Sequence, residues 1–252
     1  MNSKKIPLIL IAVAFFIAVL LSCYILFNVT KIQTHYSVSD QIDCQEIQDK
    51  LDGLKGRNLL FFNEEEVYEI VKDYPTIKVK SVEKKFPNYV EVVIIERLPV
   101  YKVVSDQTIY LLDEEGVVIR EGQGDVADRD LIDLSFEGID VIEELQIGKQ
   151  IKTDRQEMLN SSLEMSRAAN LTDSIKQMTI KYLSAGEIRD VVFSTYTGVD
   201  IVITKADING EAKINTAIES YDNCDVDFIK SYNQILIVEL DDGQIKPIWT
   251  NT

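Results

Sequence analysis

Two short patterns could carry acyl-transfer chemistry. Ser81-Val82-Glu83-Lys84 spells S-x-x-K, and Ser231-Tyr232-Asn233 spells S-x-N. Serine acyl enzymes that use them need nucleophile and lysine together on the first turn of a buried helix, so that both share a desolvated site. Here Ser81 falls in a stretch that alternates with lysines and predicts a solvated strand. The third element, K-[ST]-G, does not follow Asn233; its nearest approach, Lys152-Thr153-Asp154, is out of order. A chance match outweighs the enzyme reading. His35 is the single histidine, which excludes a three-histidine metal site and leaves a Ser-His-Asp or Cys-His mechanism one place to stand. It shows no partner in the sequence and receives no role. Asp207-Ile208-Asn209-Gly210 begins like a calcium loop, but the later ligand spacing fails and no glutamate closes it, so a turn leading into a helix is expected. Asp222, Asp225 and Asp227 read as solvated loop charge. Gly122-Gln123-Gly124 opens no phosphate-binding helix and reads as loop. No catalytic residue, metal or cofactor is assigned.

Cys44 and Cys224 are too widely separated to suggest a disulfide framework. Cys44 fits an apolar helix position, so a buried free thiol is expected there. The third cysteine, Cys23, lies in a long apolar run.

The charge balance narrows the partners. The chain has 252 residues, 26 Lys and Arg, 42 Asp and Glu and a net charge of −16. Nucleic acid and anionic headgroups are therefore disfavoured as primary ligands. Residues 1–31 hold Lys4, Lys5 and Lys31 and no acid, a charge of +3, which leaves −19 on the rest. The two parts are expected to face different surroundings.

Ile6 to Phe27 contains 22 residues without a charge. As a helix it would be about 33 Å long, enough for a hydrocarbon core of roughly 30 Å. Pro7 sits at the first turn, where its missing N–H costs nothing. Tyr24 and Asn28 fall at the far boundary. Lys4 and Lys5 before the run place the N-terminus in the cytoplasm and the bulk of the chain outside. A cleaved signal peptide has a shorter apolar core. Leu20-Leu21-Ser22-Cys23 is lipobox-like, but the sequence stays apolar after the cysteine. The expected division is a cytoplasmic tail over 1–5, a membrane-spanning helix over 6–28, a first domain over 29–98 and a second over 99–252.

The elements of the first domain follow from period and caps. Lys31–Tyr36 reads as a short strand. Asp43 predicts a helix cap, with Glu46 as its capping-box partner, and Cys44, Ile47, Leu51 and Leu54 form one apolar face. Asn63 caps a second helix, whose first turn carries Glu64-Glu65-Glu66, with Glu66 at the box position. Val67, Ile70, Val71 and Tyr74 form its apolar stripe, and Pro75 stops it. Ile77, Val79 and Ser81 then alternate, with a bulge expected at Val82. Phe86-Pro87-Asn88 is a turn, and Tyr89–Glu96 is the most β-prone run. The order is strand, helix, helix, strand, strand: two helices covering one face of a three-stranded sheet.

That order is similar to the POTRA module. Gly56-Arg57-Asn58-Leu59-Leu60, Asp73-Tyr74-Pro75-Thr76-Ile77, Val82-Glu83-Lys84-Lys85-Phe86-Pro87-Asn88, Glu96-Arg97-Leu98-Pro99-Val100 and Tyr110–Val118 resemble, in that order, the FtsQ/DivIB family of bacterial cell-division proteins. The resemblance covers about residues 29–120. It implies a single-pass membrane protein with its bulk outside the cell membrane, at the division septum. It implies a non-enzymatic scaffold that binds FtsL-like and FtsB/DivIC-like partners, the latter by strand addition near the end of its last domain, and helps control septal peptidoglycan synthesis. A wall-processing enzyme and a POTRA-bearing export or assembly component are the alternatives; the second lacks a barrel-length series of strands.

Beyond Pro99, at the domain junction, the pattern predicts a mixed α/β domain, so that the whole chain is α+β with a mainly antiparallel sheet. Val100–Val104, Thr108–Leu112 and Val117–Arg120 read as strands around an Asp113-Glu114-Glu115-Gly116 turn, with Gly116 suited to positive φ. Glu121–Asp130 reads as loop. Asp154 opens a helix to about Ala169. Ile175–Tyr182, Glu187–Thr195 and Val199–Thr204 are strands, with a hairpin turn at Tyr196-Thr197-Gly198. Glu211–Asn223 is a helix with Ile214, Ala217, Ile218 and Tyr221 on one side. Asn233–Leu240, the Asp241-Asp242-Gly243 turn and Ile245–Trp249 make a final hairpin. A last strand offers unpaired backbone groups, so Ile235, Ile237 and Trp249 are the candidate partner contacts, Trp249 the more open of them.

Overall fold

The computed structural model describes residues 5–39, 42–105, 107–122, 131–169 and 174–251. The loop expected over Glu121–Asp130, and with it Gln123 and Gly124, lies outside the described residues from 123 onward. The contacts divide the chain into two units, Met1–Arg97 and Leu98–Thr252. The chain is α+β throughout.

The first unit opens with α1 (Lys5–Leu26). Over the residues whose side chains are described, which include only part of α1, no helix is long and apolar enough to cross a membrane. After it come β1 (Lys31–Ser37), α2 (Cys44–Asp52), α3 (Glu65–Val71), β2 (Ile77–Lys85) and β3 (Tyr89–Glu96). The sheet order is β1-β3-β2, with β1 parallel and β2 antiparallel to β3. Ile47 and Leu51 of α2 and Val67 and Val71 of α3 pack on Ile32, Ile77, Val90, Val92 and Ile94, which closes one core. The alternate residues of β3 all turn to this face, as the two-residue period of a strand requires.

The Asp43 cap forms, the cap position of α3 falls on Glu64 instead of Asn63, and the two expected capping boxes do not form. Asp43 Oδ1 accepts from the Gln45 and Glu46 amides at 3.0 and 3.2 Å. Glu46 instead receives the Tyr74 hydroxyl at 2.7 Å and faces Lys50 Nζ at 3.2 Å. Asn63 Oδ1 accepts from the Glu65 amide at 3.2 Å, while Glu66 turns to Arg57. In each case a cation is within reach, and a charge-assisted partner outcompetes a neutral amide. The bulge lies between Val79 and Ser81, at Lys80, and not at Val82. Val79 and Val82 are three apart and both pack against the core. In a regular strand they would face opposite ways, so the extra residue must fall between them.

The second unit contains β4 (Tyr101–Ser105), β5 (Thr108–Leu112), β6 (Val118–Gly122), β7 (Ile132–Glu137), α4 (Gln156–Ala168), β8 (Ile175–Leu183), β9 (Ile188–Thr195), β10 (Asp200–Ile203), α5 (Gly210–Asp222), α6 (Val226–Ile229), β11 (Gln234–Glu239) and β12 (Ile245–Thr250). These strands form one sheet in the order β12-β11-β10-β9-β8-β7-β4-β5-β6. Its pairings are antiparallel except β7–β8, β10–β11 and β4–β7. The first two parallel pairings are bridged by α4 and by α5 with α6, as parallel neighbours require. Leu159 and Leu163 of α4 and Ile214 and Ala217 of α5 share a core with Tyr101, Phe193, Ile201, Ile203, Ile235 and Ile237.

β7 and α6 are the elements that the sequence patterns do not name. Asp154 does not cap α4; its Oδ1 accepts from the Asp140 amide at 3.0 Å, and the helix begins at Gln156. Gly116 has φ +75°, and a Cβ there would lie 2.9 Å from Leu163 Cδ1, so both conformation and space call for glycine.

Candidate interaction site at the edge of the nine-stranded sheet

The final hairpin turns at Asp241-Asp242-Gly243. Gly243 has φ +79°, its amide donates to the Leu240 carbonyl at 2.8 Å, and the Leu240 amide donates to the Gln244 carbonyl at 2.9 Å. From there Ile245 pairs with Glu239, Pro247 with Ile237 and Trp249 with Ile235. Because Leu240 and Gln244 are hydrogen-bonded opposite each other, antiparallel alternation points the backbone groups of residues 245, 247 and 249 away from β11. Pro247 has no N–H to give, which suits an outward position. The outward row therefore offers the amides of Ile245 and Trp249 and the carbonyls of Ile245, Pro247 and Trp249. Among the described residues no strand pairs with this side of β12. At the other end of the sheet, the start of β6 is covered: the Val118 amide donates to the Lys149 carbonyl at 3.0 Å, and the Gly148 amide to the Val118 carbonyl at 2.7 Å.

The side chains divide by face. Ile235 and Ile237 are fully buried in the core that includes α5. That corrects the expectation that they are surface contacts: as strand residues two apart, both face the helix. Trp249, opposite Ile235, is half-buried. Its Nε1 donates to Ser220 Oγ at 3.3 Å, and its ring meets Phe228 at 5.1 Å and Tyr232 at 5.9 Å between centroids. The contacts available to a partner lie on the other face. Ile248 is 46% exposed, with Leu236 and Val238 half-buried on the same side. Sequence reasoning missed these three because β11 is apolar on both faces. Only the helix packing says which face is closed.

Lys213 of α5, 1% exposed, braces the platform from within. Its Nζ donates to the carbonyls of Thr204 and Lys205 at 3.0 and 3.2 Å and stands 3.4 Å from Glu239 Oε2, at the end of β11. Asn209 Nδ2 donates to the other oxygen of Glu239 at 2.9 Å. This buried cation ties α5, the end of β10 and β11 together. At the far end of the core, burial beneath α4 pushes the Tyr101 phenol up to about 12.

The residues with chemical potential are used otherwise. Ser81 and Lys84 lie three apart on β2, hence on opposite faces, and Lys84 faces Glu64 at 3.7 Å. The shared desolvated turn of an S-x-x-K nucleophile is not assembled. Ser231 Oγ donates to the Asp227 carbonyl at 2.9 Å. Asp207 accepts from Arg189, and Asp225 Oδ1 caps α6 through the amides of Asp227 and Phe228. His35, expected to lack a partner, stands 3.0 Å from Glu91 Oε1 across β1 and β3. Cys44 and Cys224 are free and half-buried. Among the described residues, no group of three or more His, Cys, Asp or Glu could hold a metal.

The family model for the POTRA domain, FtsQ-type, matches residues 37–97. Cell division protein DivIB of Clostridium acetobutylicum is 27% identical over 114 residues, 44% of this chain and 44% of that protein. The chain carries a POTRA domain of the FtsQ type and is similar to the FtsQ/DivIB family of cell-division proteins. The match spans less than half the length of that curated relative. A solved structure of the major extracytoplasmic domain of DivIB from Geobacillus stearothermophilus aligns with 52% of this chain and 98% of its own, at 17% identity and a TM-score of 0.29, too low to carry an argument. The POTRA match falls wholly inside the first unit. The β12 edge belongs to the second.

Proposed function

We propose that the chain is a membrane-anchored, non-enzymatic scaffold of the bacterial division machinery. It binds FtsL-like and FtsB/DivIC-like partners outside the membrane and so helps control septal peptidoglycan synthesis. The FtsQ-type POTRA match and the similarity to a DivIB cell-division protein support the division role. The uncharged run from Ile6 to Phe27, after two lysines, supports a single crossing with the N-terminus in the cytoplasm and the bulk of the chain extracytoplasmic, at the septum. The observation that carries the partner site is the open outer edge of β12, with apolar Ile248 beside it. A partner strand can complete the row of backbone groups at residues 245, 247 and 249, and apolar side chains can lie on Leu236, Val238 and Ile248. Trp249 contributes its outward backbone, and Ile235 and Ile237 support the strand from beneath.

The test is capture of purified FtsL-like and FtsB/DivIC-like proteins by the full-length chain in lipid nanodiscs. Ile245→Pro removes one outward donor, and Ile248→Asp places a charge on an exposed position that the fold does not need. Each variant is expected to weaken capture at least about tenfold, or about 1.4 kcal/mol. Undiminished capture by both variants refutes this site.

A further inference from the structure

The end of the first unit next to α1 carries apolar side chains that the fold leaves bare. Phe61 is 83% exposed, Phe86 62% and Leu60 51%. They come from two separate loops, the 3-10 turn at Leu59–Phe61 and the β2–β3 turn. Both loops are hydrogen-bonded to the segment that leaves α1. The Leu59 amide donates to the Phe27 carbonyl at 2.7 Å, Asn58 Nδ2 to the Tyr24 carbonyl at 3.2 Å, and the Val29 amide to the Arg57 carbonyl at 2.7 Å. The Thr30 amide donates to the Asn88 carbonyl at 2.8 Å, and the Phe27 and Phe86 rings meet edge to face at 5.9 Å. The depth of both loops is therefore fixed by the last turn of α1. Tyr24, Ile25 and Leu26 in the last turn of that helix are exposed as well.

We propose that Leu60, Phe61 and Phe86 insert into the interfacial layer of the lipid bilayer, so that the first unit rests on the membrane instead of hanging from it. The proposal rests on the reading of α1 as a membrane crossing. A bilayer is the occupant that the geometry fits, because bare aromatic and aliphatic groups stand level with the end of an apolar helix, where apolar side chains gain from leaving water. The acidic character of the chain does not oppose it locally. Glu64 faces Lys84, Glu66 pairs with Arg57, and Glu83 pairs with Lys85. The charges flanking the patch are thus largely internally neutralised, and the attraction is apolar, with no demand for anionic lipid. Held at two loops as well as at the helix, the unit would lose most of its freedom to tilt about residues 27–30.

The test places the photoreactive phenylalanine analogue benzoylphenylalanine at single positions of the full-length chain in phosphatidylcholine vesicles containing a clickable acyl chain. Position 61 reads the proposal and position 16, on α1, reads the membrane crossing. Position 73 is the aqueous control. It precedes β2, at the end of the sheet away from α1, and the strands place it roughly 20 Å along. Lipid attachment at 61 and 16, several-fold above 73, is the expected result. Attachment at 16 with 61 at the level of 73 overturns the insertion and leaves the crossing standing. Silence at 16 brings down the crossing and the insertion together. Attachment of 61 to a second copy of the chain in place of lipid also overturns the proposal, making this face a protein contact.

Discussion

The two sheets end very differently. In the first unit β2 is an edge strand with the sequence IKVKSVEKK. It carries five charged residues and a bulge at Lys80, and Lys84 and Lys85 are held by Glu64, Glu83 and Glu91. Charges and bulges are how natural sheets deny an edge to a passing strand. In the second unit β12 reads IKPIWT. It carries one lysine, one proline and an exposed Ile248, and it runs unbulged along β11. The lesson is that an open edge has to be stiffened from behind. α5, the buried Lys213 and the Trp249 cluster do that here, while the defended edge of the first unit needs no such backing.

Breaking that backing should have the largest effects. Lys213→Met leaves two carbonyls and Glu239 without their cation. It is expected to destabilise the second unit by about 3 kcal/mol, at the lower end for a broken buried pair because Glu239 is partly exposed, measured by urea denaturation. A loss below half of that would show that the clamp is ornamental. Trp249→Ala removes a half-buried ring and its bond to Ser220, for about 2–3 kcal/mol. It should also weaken partner capture although its side chain points away from the open edge. Unchanged capture would show that β12 does not need stiffening.

The units should also part company with pH. Tyr101 titrates at about 12 in the folded state, above the ordinary value of 10.0, because burial disfavours its phenolate. A raised value means stability that is complete below pH 10 and is lost as pH rises towards 12, by about 2 kcal/mol. Tyr101→Phe should flatten that loss, read as the alkaline slope of the denaturation midpoint. Tyr36 of the first unit is pushed to about 12 as well, again by burial, but is much less enclosed. The first unit carries the opposite dependence at Glu46, which the Tyr74 hydroxyl and Lys50 hold below the ordinary carboxyl range. Its contribution is present above pH 4.5 and fades as pH falls, an effect kept small by full exposure. The smallest expected change is at the defended edge. Lys80→Thr should alter stability by no more than about 0.5 kcal/mol and should raise self-association, seen by sedimentation at high concentration. A monomer at all concentrations would mean that the bulge alone guards β2.

Much of this was legible in the residues. The cap at Asp43, the apolar stripes of α2 and α3, the alternation of β3 and the Gly116 turn are local matters, written within a turn or two of chain. Their order, with the quoted motifs, was enough to point to the family. The partner site was legible only in outline. The final hairpin can be read, yet its apolar pattern points to Ile235 and Ile237 and gives no sign of Ile248. In Gln234–Glu239 both faces are apolar, so period gives the alternation but not its direction. Lys213 left no signal either: a lysine on an amphipathic helix reads as solvated until carbonyls from another element are found around it.

The amino-acid sequence by itself determined most of the elements, though not β7 or α6, together with the uncharged run from Ile6 to Phe27 and the acidic bulk that follows, because propensity, capping and period act between near neighbours. Tertiary structure decided which edge stays open, which face of β11 is buried and where the exposed phenylalanines stand. Those depend on contacts between residues far apart in the chain: α5 closing one side of β11, the loop at 148–150 covering the start of β6, and the segment leaving α1 pulling two loops to a common level.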